Sequence, residues 1–189
     1  MRVILPSDFK GEKYGFRYRL VNEGDADFIT KIRTNPKVNN YLHQTSPDVE
    51  AQKVWIRQYK GREREGLDYY FIYFKDDTPL GVNRLYNIKE DGTFTTGSLV
   101  FDDNVPHESI VAAAIIVKEI AFEILGLNFS DCSDGVHKDN KKVIKLCKMF
   151  GTVFTGERQT ELGTFLTGGT TKENFYTCAN KIKKLMDLK

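Results

Sequence analysis

The feature that most constrains the fold is an almost wholly apolar helix pattern, SIVAAAIIVKEIAFEILG, over residues 109–126. Small residues from Ala112 to Ala114 lie near its start, and Gly126 is typical of a C-terminal helix cap. A helix that is apolar around most of its circumference must be buried on most sides. We therefore expect the rest of the chain to supply a sheet against which this helix packs.

Several runs of alternating, β-branched or aromatic residues predict the strands of that sheet. They occupy residues 16–21, 69–74, 79–88 and 93–101, with a short strand within 128–136 and one or two more within 152–167. Helix patterns begin near residues 24, 46, 140 and 172, and Ser46 with Pro47 predicts the start of the second one. The order predicts a mixed α/β (α+β) fold, with six to seven strands, about four helices and an extra C-terminal helix over about 172–188.

Length and charge indicate one domain with a small-molecule site. The 189 residues contain no Pro/Gly-rich linker, so we expect a single domain over 1–189. The 28 basic and 26 acidic side chains form no basic block that predicts nucleic-acid binding. The opening MRVILPSDF has too short an apolar run for a signal peptide, and no stretch reaches membrane-spanning length. We expect a soluble, cytoplasmic protein, monomeric or homodimeric.

The three cysteines, Cys132, Cys147 and Cys178, predict neither disulfides nor a metal site. Their number is odd, their spacing lacks a CxxC pair, and they lie within apolar patterns. We therefore expect reduced thiols and no bound metal.

The stretch VHKDNKKVIKLCKMFG, residues 136–151, predicts an amphipathic helix that begins at Asn140 and ends at Gly151. An asparagine side chain has a donor and an acceptor, so Asn140 can cap the helix and still hold an amide of a ligand, although a plain cap is equally compatible with the sequence. Cys147 lies in the apolar register of this helix, where a free thiol usually packs as a small hydrophobe. It can donate a proton only if it is exposed.

This motif and the order of the elements around it resemble the GNAT superfamily of acetyl-CoA dependent N-acetyltransferases. The resemblance covers about Tyr14 to Gly168 and implies a sheet that splays between its fourth and fifth strands. It implies that Asn140, with Lys142 in the following turn, contacts the pantetheine or phosphate part of coenzyme A. Cys147 stands where the family often has a tyrosine that protonates the departing thiolate, so this chain departs from the pattern there.

The family's glycine-rich pyrophosphate loop is also missing, because DDNVPHESIVAAA has no glycine between Asp102 and Ala114. The unpaired N–H groups of a helix N-terminus can still hold a pyrophosphate. The carboxylates of Asp102, Asp103 and Glu108 bring negative charge close to such an anion. By position, the resemblance implies that the cofactor-binding residues are Leu99, Val100 and Phe101 of the preceding strand, and His107, Ser109 and Ile110 at the helix start.

The acceptor side resembles enzymes that acetylate nucleotide-linked amino sugars and, more distantly, those that acetylate protein N-termini. The substrate-binding residues implied are Asn40, Tyr41, Trp55, Arg84 and Tyr86. A guanidinium within an apolar strand needs a partner, which is either a substrate anion or a carboxylate of the protein. The catalytic candidates are His43 and Glu50 as bases and Cys147 as proton donor, with His137 as a weaker base.

Together these features predict transfer of an acetyl group from acetyl-CoA to a primary amine, preferably that of a nucleotide-linked amino sugar. A protein N-terminus or a polyamine is a less favoured acceptor. A non-catalytic module that binds an acyl-CoA or another ligand remains the alternative, because the loop glycines and the tyrosine are absent. The aromatic strand 69–74 alone would suit a structural oligomer, but such side chains more readily fill a core.

Overall fold

The computed structural model describes residues 3–37, 45–133, 136–161 and 163–188. Its strands are β1 (Lys10–Lys13), β2 (Phe16–Leu20), β3 (Tyr69–Lys75), β4 (Thr78–Tyr86), β5 (Thr93–Phe101), β6 (Phe129–Asp131), β7 (Val153–Thr160) and β8 (Gly163–Thr171). Its helices are α1 (Ala26–Thr34), α2 (Val49–Arg64), α3 (His107–Glu119), α4 (Lys141–Met149) and α5 (Lys172–Leu185). A 3-10 turn, Glu23–Asp25, precedes α1, and a π-helical turn, Ile120–Ile124, extends α3.

The strands form one sheet in the order β1-β2-β3-β4-β5-β6-β8-β7. Every neighbouring pair is antiparallel except β5 and β6, which are parallel. The mixed fold predicted from the sequence is confirmed. The sheet has eight strands rather than six or seven because the C-terminal strand region forms both β7 and β8 and because KGEK, which lacks apolar alternation, forms β1 as the hairpin partner of β2.

The helices cover the two faces of the sheet separately. Side chains alternate along β3, so Phe71 packs with α3, the π-helical turn and α5, whereas Ile72 packs with α1 and α2. We call these sides the α3 face and the α1–α2 face. Helix α3 is buried from Ala112 through Glu119, which confirms the expectation from its apolar sequence. Leu146 of α4 also packs on the α3 face.

Local capping explains where the helices begin and end. Asp48 is the N-cap of α2, and its side chain accepts a hydrogen bond of 2.9 Å from the Glu50 N–H. The helix therefore starts after Ser46 and Pro47, and the predicted start at those residues is wrong. Gly126 follows the π-helical turn with φ of +67°, in agreement with the predicted cap.

Candidate functional site

A wedge opens between β5 and β6. The two strands pair only from Thr93–Phe129 to Thr95–Asp131, whereas β5 continues to Phe101. The chain after Asp131 turns towards β8 instead, because the Cys132 N–H donates to the Gly168 carbonyl. Within the described residues, no strand pairs with residues 96–101 of β5 on that side. Main-chain groups along this open edge can pair with an extended ligand, as an added strand would.

The N-terminus of α3 lies at the open end of the wedge, because only residues 102–106 separate it from the end of β5. Its N-cap is Pro106, whose side chain makes no capping hydrogen bond. The first-turn N–H groups and the positive end of the helix dipole are therefore suited to an anion. His107 is exposed there, Ser109 is buried and Ile110 is half-buried.

Two lysines offset the acidic residues of this loop. Lys31 lies 3.3 Å from an oxygen of Asp102, and Lys37 lies 2.6 Å from an oxygen of Asp103. The hydrogen bond from Lys37 lowers the pKa of Asp103, which is therefore ionised at neutral pH. Asp102 and Asp103 are thus each matched by a cation, while Glu108 is exposed to solvent, so the loop is less repulsive towards a pyrophosphate than its sequence suggests. The lysine partners are far away in sequence, and the loop sequence alone gave no sign of them.

Asn140 caps α4, as its sequence position predicted. Its side-chain oxygen accepts a hydrogen bond of 3.2 Å from the Val143 N–H. The capping oxygen leaves the side-chain N–H₂ as the group that can reach a ligand. Lys142 is exposed in the first turn of the same helix. A contact of either residue with a cofactor stays a prediction.

Cys147 lies half-buried on α4. Burial raises the pKa of its thiol, while the Lys118 ammonium and a hydrogen bond with Thr152 act in the opposite direction. Lys118 reaches this point from α3, and its Nζ donates a hydrogen bond of 2.8 Å to the Ser130 hydroxyl of β6. Ser130 pairs with Phe94 in the sheet, so the Lys118–Ser130 hydrogen bond lies at the closed end of the wedge on the α3 face.

Three predicted substrate-binding residues meet on the other side of the sheet. The guanidinium carbon of Arg84 lies 5.2 Å from the ring centre of Trp55 and 4.8 Å from that of Tyr86. Gly97 of β5 lies directly beneath, since a Cβ there would approach the Tyr86 ring to 2.9 Å. We call Trp55, Arg84 and Tyr86 the aromatic–arginine patch, and it borders the open stretch of β5 on the α1–α2 face.

The patch also contains a carboxylate that the sequence analysis missed. Asp68 is 1% exposed, and its oxygens accept hydrogen bonds from Arg84 Nε at 2.7 Å and from Arg62 Nε at 3.0 Å. Arg84 Nη2 completes a bidentate pair with Asp68. Desolvation lowers the pKa of Arg84, but the bonds to Asp68 outweigh it, and that pKa is raised. The pair follows from the sheet register, in which Arg84 is opposite Tyr70 and Asp68 precedes Tyr70 by two residues on the same face, and that register was not visible in the sequence.

Asp131 and Ser133 lie at the closed end of the wedge on the patch side. In the sheet, Tyr86 is opposite Thr95 and Thr95 is opposite Asp131, so their side chains share the α1–α2 face. One oxygen of Asp131 accepts hydrogen bonds from the N–H and the hydroxyl of Ser133, at 2.9 and 2.6 Å. Both residues line a groove of about 400 Å³ that continues over β8 and β7.

Of the remaining predicted site residues, Glu50, Leu99, Val100 and Phe101 are described and contribute no side chain to the open edge of β5. Asn40, Tyr41 and His43 lie outside the described residues. The Glu50 side chain is 71% exposed at the start of α2, where it pairs with Lys53 at 2.7 Å. Val100 is buried in the α1–α2 core, while Leu99 and Phe101 pack against the α3 core, so only their main chains face the open edge.

Other kinds of site were also considered. Among the described residues, no group of histidine, cysteine and acidic side chains is arranged to hold a metal ion. None of the helices in the described ranges combines the length and apolar character that crossing a bilayer requires.

Comparison with known proteins identifies the family of this chain. The family model of the acetyltransferase (GNAT) domain matches residues 16–153. The chain belongs to the GNAT acetyltransferase family, and the protein is an acyltransferase. No curated protein sequence matches the chain significantly.

Solved structures of the family share the whole fold. Apo FdhC, a nucleotide-linked sugar GNAT, is 32% identical, with a TM-score of 0.80 over 96% of this chain and 99% of that one. RimJ from Mycobacterium smegmatis, in complex with CoA-disulfide, has a TM-score of 0.79 at 15% identity over 96% and 95% of the two chains. The ribosomal-protein-S5-alanine acetyltransferase from Vibrio fischeri has a TM-score of 0.73 at 16% identity, over 89% and 99%. The last two show likeness of fold alone.

Proposed function

We propose that the protein transfers an acetyl group from acetyl-CoA to the amino group of a nucleotide-linked amino sugar. The observation that carries this proposal is the position of the aromatic–arginine patch beside the open edge of β5. The similarity to FdhC over nearly the entire chain supports the same acceptor class.

The features on the open side of the wedge suit acetyl-CoA. The first-turn N–H groups of α3 would hold its pyrophosphate, with the charges of Asp102 and Asp103 offset by Lys31 and Lys37. The main chain of residues 97–101 would pair with the amides of its pantetheine arm. The side-chain N–H₂ of Asn140, the N-cap of α4, would donate to the same arm.

The patch suits a nucleotide diphosphate. Arg62 and Arg84 share the single carboxylate of Asp68, so this cluster keeps a net positive charge. The N–H groups of Arg62 and Arg84 that do not donate to Asp68 would bind phosphate oxygens, and the half-buried rings of Trp55 and Tyr86 would provide flat surface for a base or a sugar. A polyamine acceptor would meet like charge at this place.

The acceptor amine must lose a proton before it attacks the thioester. Asp131 lies at the closed end of the wedge on the patch side, and it is the carboxylate among the described residues that we assign to this proton. Glu50 is less suited, because it is exposed and paired with Lys53. The Ser133 contacts hold one Asp131 oxygen in place and leave the other for the amine.

Calorimetric titration with acetyl-CoA tests the first half of the proposal, with free CoA and an adenine nucleotide as controls. We expect saturable binding of acetyl-CoA in the micromolar range; absence of binding at millimolar ligand would favour the non-catalytic module. An assay of thiol release with nucleotide-linked amino sugars, an alanine-terminated peptide and spermidine tests the second half. Turnover with the peptide but with no sugar nucleotide would refute the proposed acceptor.

A further inference from the structure

The groove beside Asp131 lies on a part of the sheet that the helices of its face do not cover. On the α1–α2 face, α1 and α2 pack over residues of β3, β4 and β5, among them Val82 and Val100. The groove of about 400 Å³ lies further along the sheet, over β6, β8 and β7. Helix α5, which follows β8, packs on the α3 face through Phe175. Val153 of β7 lines the groove and is 55% exposed, so this apolar side chain is open to a ligand.

The sheet register connects the aromatic–arginine patch to this groove in a single row of residues. Tyr86 of β4 is opposite Thr95 of β5, Thr95 is opposite Asp131 of β6, Asp131 is opposite Gly169 of β8, and Gly169 is opposite Val153 of β7. Residues that are directly opposite in a sheet lie on the same face. Because neighbouring strands are about 4.8 Å apart, Asp131 lies roughly 10 Å from the strand of Tyr86 and roughly 10 Å from that of Val153.

The floor of the groove combines apolar surface with hydroxyl-bearing side chains. Gly169 leaves room for the Phe129 ring, because a Cβ at Gly169 would overlap that ring. The ring and Val153 supply the apolar part, and Thr155 and Thr167 lie beside them. Small-molecule pockets of about 300–1,000 Å³ typically have such an apolar lining with a few polar groups. A sugar ring, which has a carbon face and hydroxyl groups at its rim, matches this surface.

The two ends of the row differ in charge. The patch keeps a net positive charge, because Arg62 and Arg84 share the carboxylate of Asp68. Among the described residues that line the groove, Asp131 carries the only charge. Arg158, at the Ser133 end, donates from Nη2 to the Ser133 carbonyl at 3.1 Å. An anionic group is therefore favoured on the patch and disfavoured in the groove, where it would lie near the Asp131 carboxylate.

We propose that the groove over β8 and β7 is the subsite for the sugar of the acceptor, and that Val153 and Thr167 determine its specificity. This inference rests on the proposed function. The nucleotide diphosphate would lie on the patch, and the reacting amine would lie between the two subsites at Asp131. The reverse orientation would place the diphosphate beside that carboxylate. The subsite takes an uncharged sugar and rejects one that carries a carboxylate beyond the amine.

The first test fills the groove and measures binding by calorimetry. In Val153→Trp, we expect the affinity for an amino-sugar nucleotide to fall about tenfold, with the affinities for the free nucleoside diphosphate and for acetyl-CoA unchanged. Gln159→Trp is the control, because it adds the same ring to the same strand at a residue that does not line the groove. Thr167→Val keeps the shape but removes a hydroxyl, and it should weaken sugar-nucleotide binding about threefold. Wild-type affinity in both groove variants would overturn the proposal.

The second test measures turnover of two amino-sugar nucleotides that differ only in a carboxylate on the sugar. We expect kcat/KM to be about tenfold lower with the carboxylate, because like charges repel near Asp131. Val153→Lys adds a cation to the groove and should recover part of this loss, whereas Gln159→Lys should not. Equal kcat/KM for the two acceptors in the wild type would contradict the assigned orientation.

Three remaining outcomes separate this inference from the proposed function. Wild-type protein that binds acetyl-CoA but neither binds nor acetylates any amino-sugar nucleotide would reject both. Wild-type turnover that Val153→Trp and Thr167→Val leave unchanged would reject the sugar subsite alone. Sedimentation of the wild type and Val153→Trp tests a second copy of the chain as the occupant. A dimer that dissociates in the variant would assign the groove to a subunit interface and overturn the proposal.

Discussion

Each face of the wedge holds a cation, half-buried Arg84 on one side and buried Lys118 on the other, and the two are satisfied in opposite ways. On the α1–α2 face, Arg84 is held by a bidentate bond to Asp68, which is shared with Arg62. On the α3 face, the partners of Lys118 among the described residues are the Ser130 hydroxyl at 2.8 Å and the Phe94 ring, with two thiols acting on it electrostatically. A charge without a counter-charge in the interior is costly. Arg84 is therefore held by its bonds to Asp68, whereas Lys118 is kept at a cost in stability, as functional groups often are.

The largest expected effect on stability comes from removing Asp68, the carboxylate that binds Arg84 and Arg62. Asp68→Ala leaves Arg84 and Arg62 near a buried site without their carboxylate, and we expect a loss of about 3–5 kcal/mol in the free energy of unfolding. Chemical denaturation measures it. Asp77→Ala, which breaks the exposed pair with Arg17, is the matched control and should change stability little. A small loss in Asp68→Ala would mean that the arginines find other partners.

Removing the cation of the α3 face, Lys118, should instead increase the free energy of unfolding. Lys118→Met removes a buried charge at nearly constant volume, and we expect the free energy of unfolding at pH 7 to rise by about 1–3 kcal/mol. The native pKa of Lys118 is about 8, below its unfolded value. Between pH values of about 8 and about 10.4, the unfolded chain therefore binds more protons than the native protein does. As a result, the wild type gains stability relative to the variant as pH rises above about 8. Denaturation curves at pH 7 and 10 test this, and destabilisation by the variant would contradict it.

The third prediction addresses the patch without altering its charges. In Gly97→Ala the new Cβ would lie within 2.9 Å of the Tyr86 ring and displace it from Arg84. We expect KM for the acceptor to rise about tenfold, or about 1.4 kcal/mol, with binding of acetyl-CoA preserved. Gly61→Ala is the control, because a Cβ there meets no neighbouring atom. A change in acetyl-CoA affinity alone would place Gly97 with the cofactor instead.

The contrast between the faces also shows what the sequence could predict. Local patterns were sufficient for most elements: the apolar helix α3, the Asn140 cap and the C-terminal helix from Lys172 follow from neighbouring residues. The cluster of Trp55, Arg84 and Tyr86 was predicted as a set of substrate residues from the resemblance, and the structure brings them together.

The partners of the charged residues depend on tertiary contacts and were not predictable in the same way. Lys31 and Lys37 offset the acidic loop from about 70 residues away in the chain. Lys118 lies within an apolar helix, and only the path of α3 along the sheet brings its ammonium to Ser130 of β6. Strand β1 was missed because its pairing with β2, rather than its own composition, makes it a strand.

The smallest expected effect separates the two possible roles of Asn140, the N-cap of α4. Asn140→Ala removes the cap on α4 and should cost about 1 kcal/mol in the free energy of unfolding. Asn140→Asp keeps a capping oxygen and should therefore keep stability, but it lacks the side-chain N–H₂ donor. Calorimetry with acetyl-CoA then distinguishes the roles: weaker binding in both variants assigns the N–H₂ to the cofactor arm. Unchanged binding in Asn140→Asp would leave Asn140 as a cap alone, and the cofactor would be held from the β5 and α3 side of the wedge only.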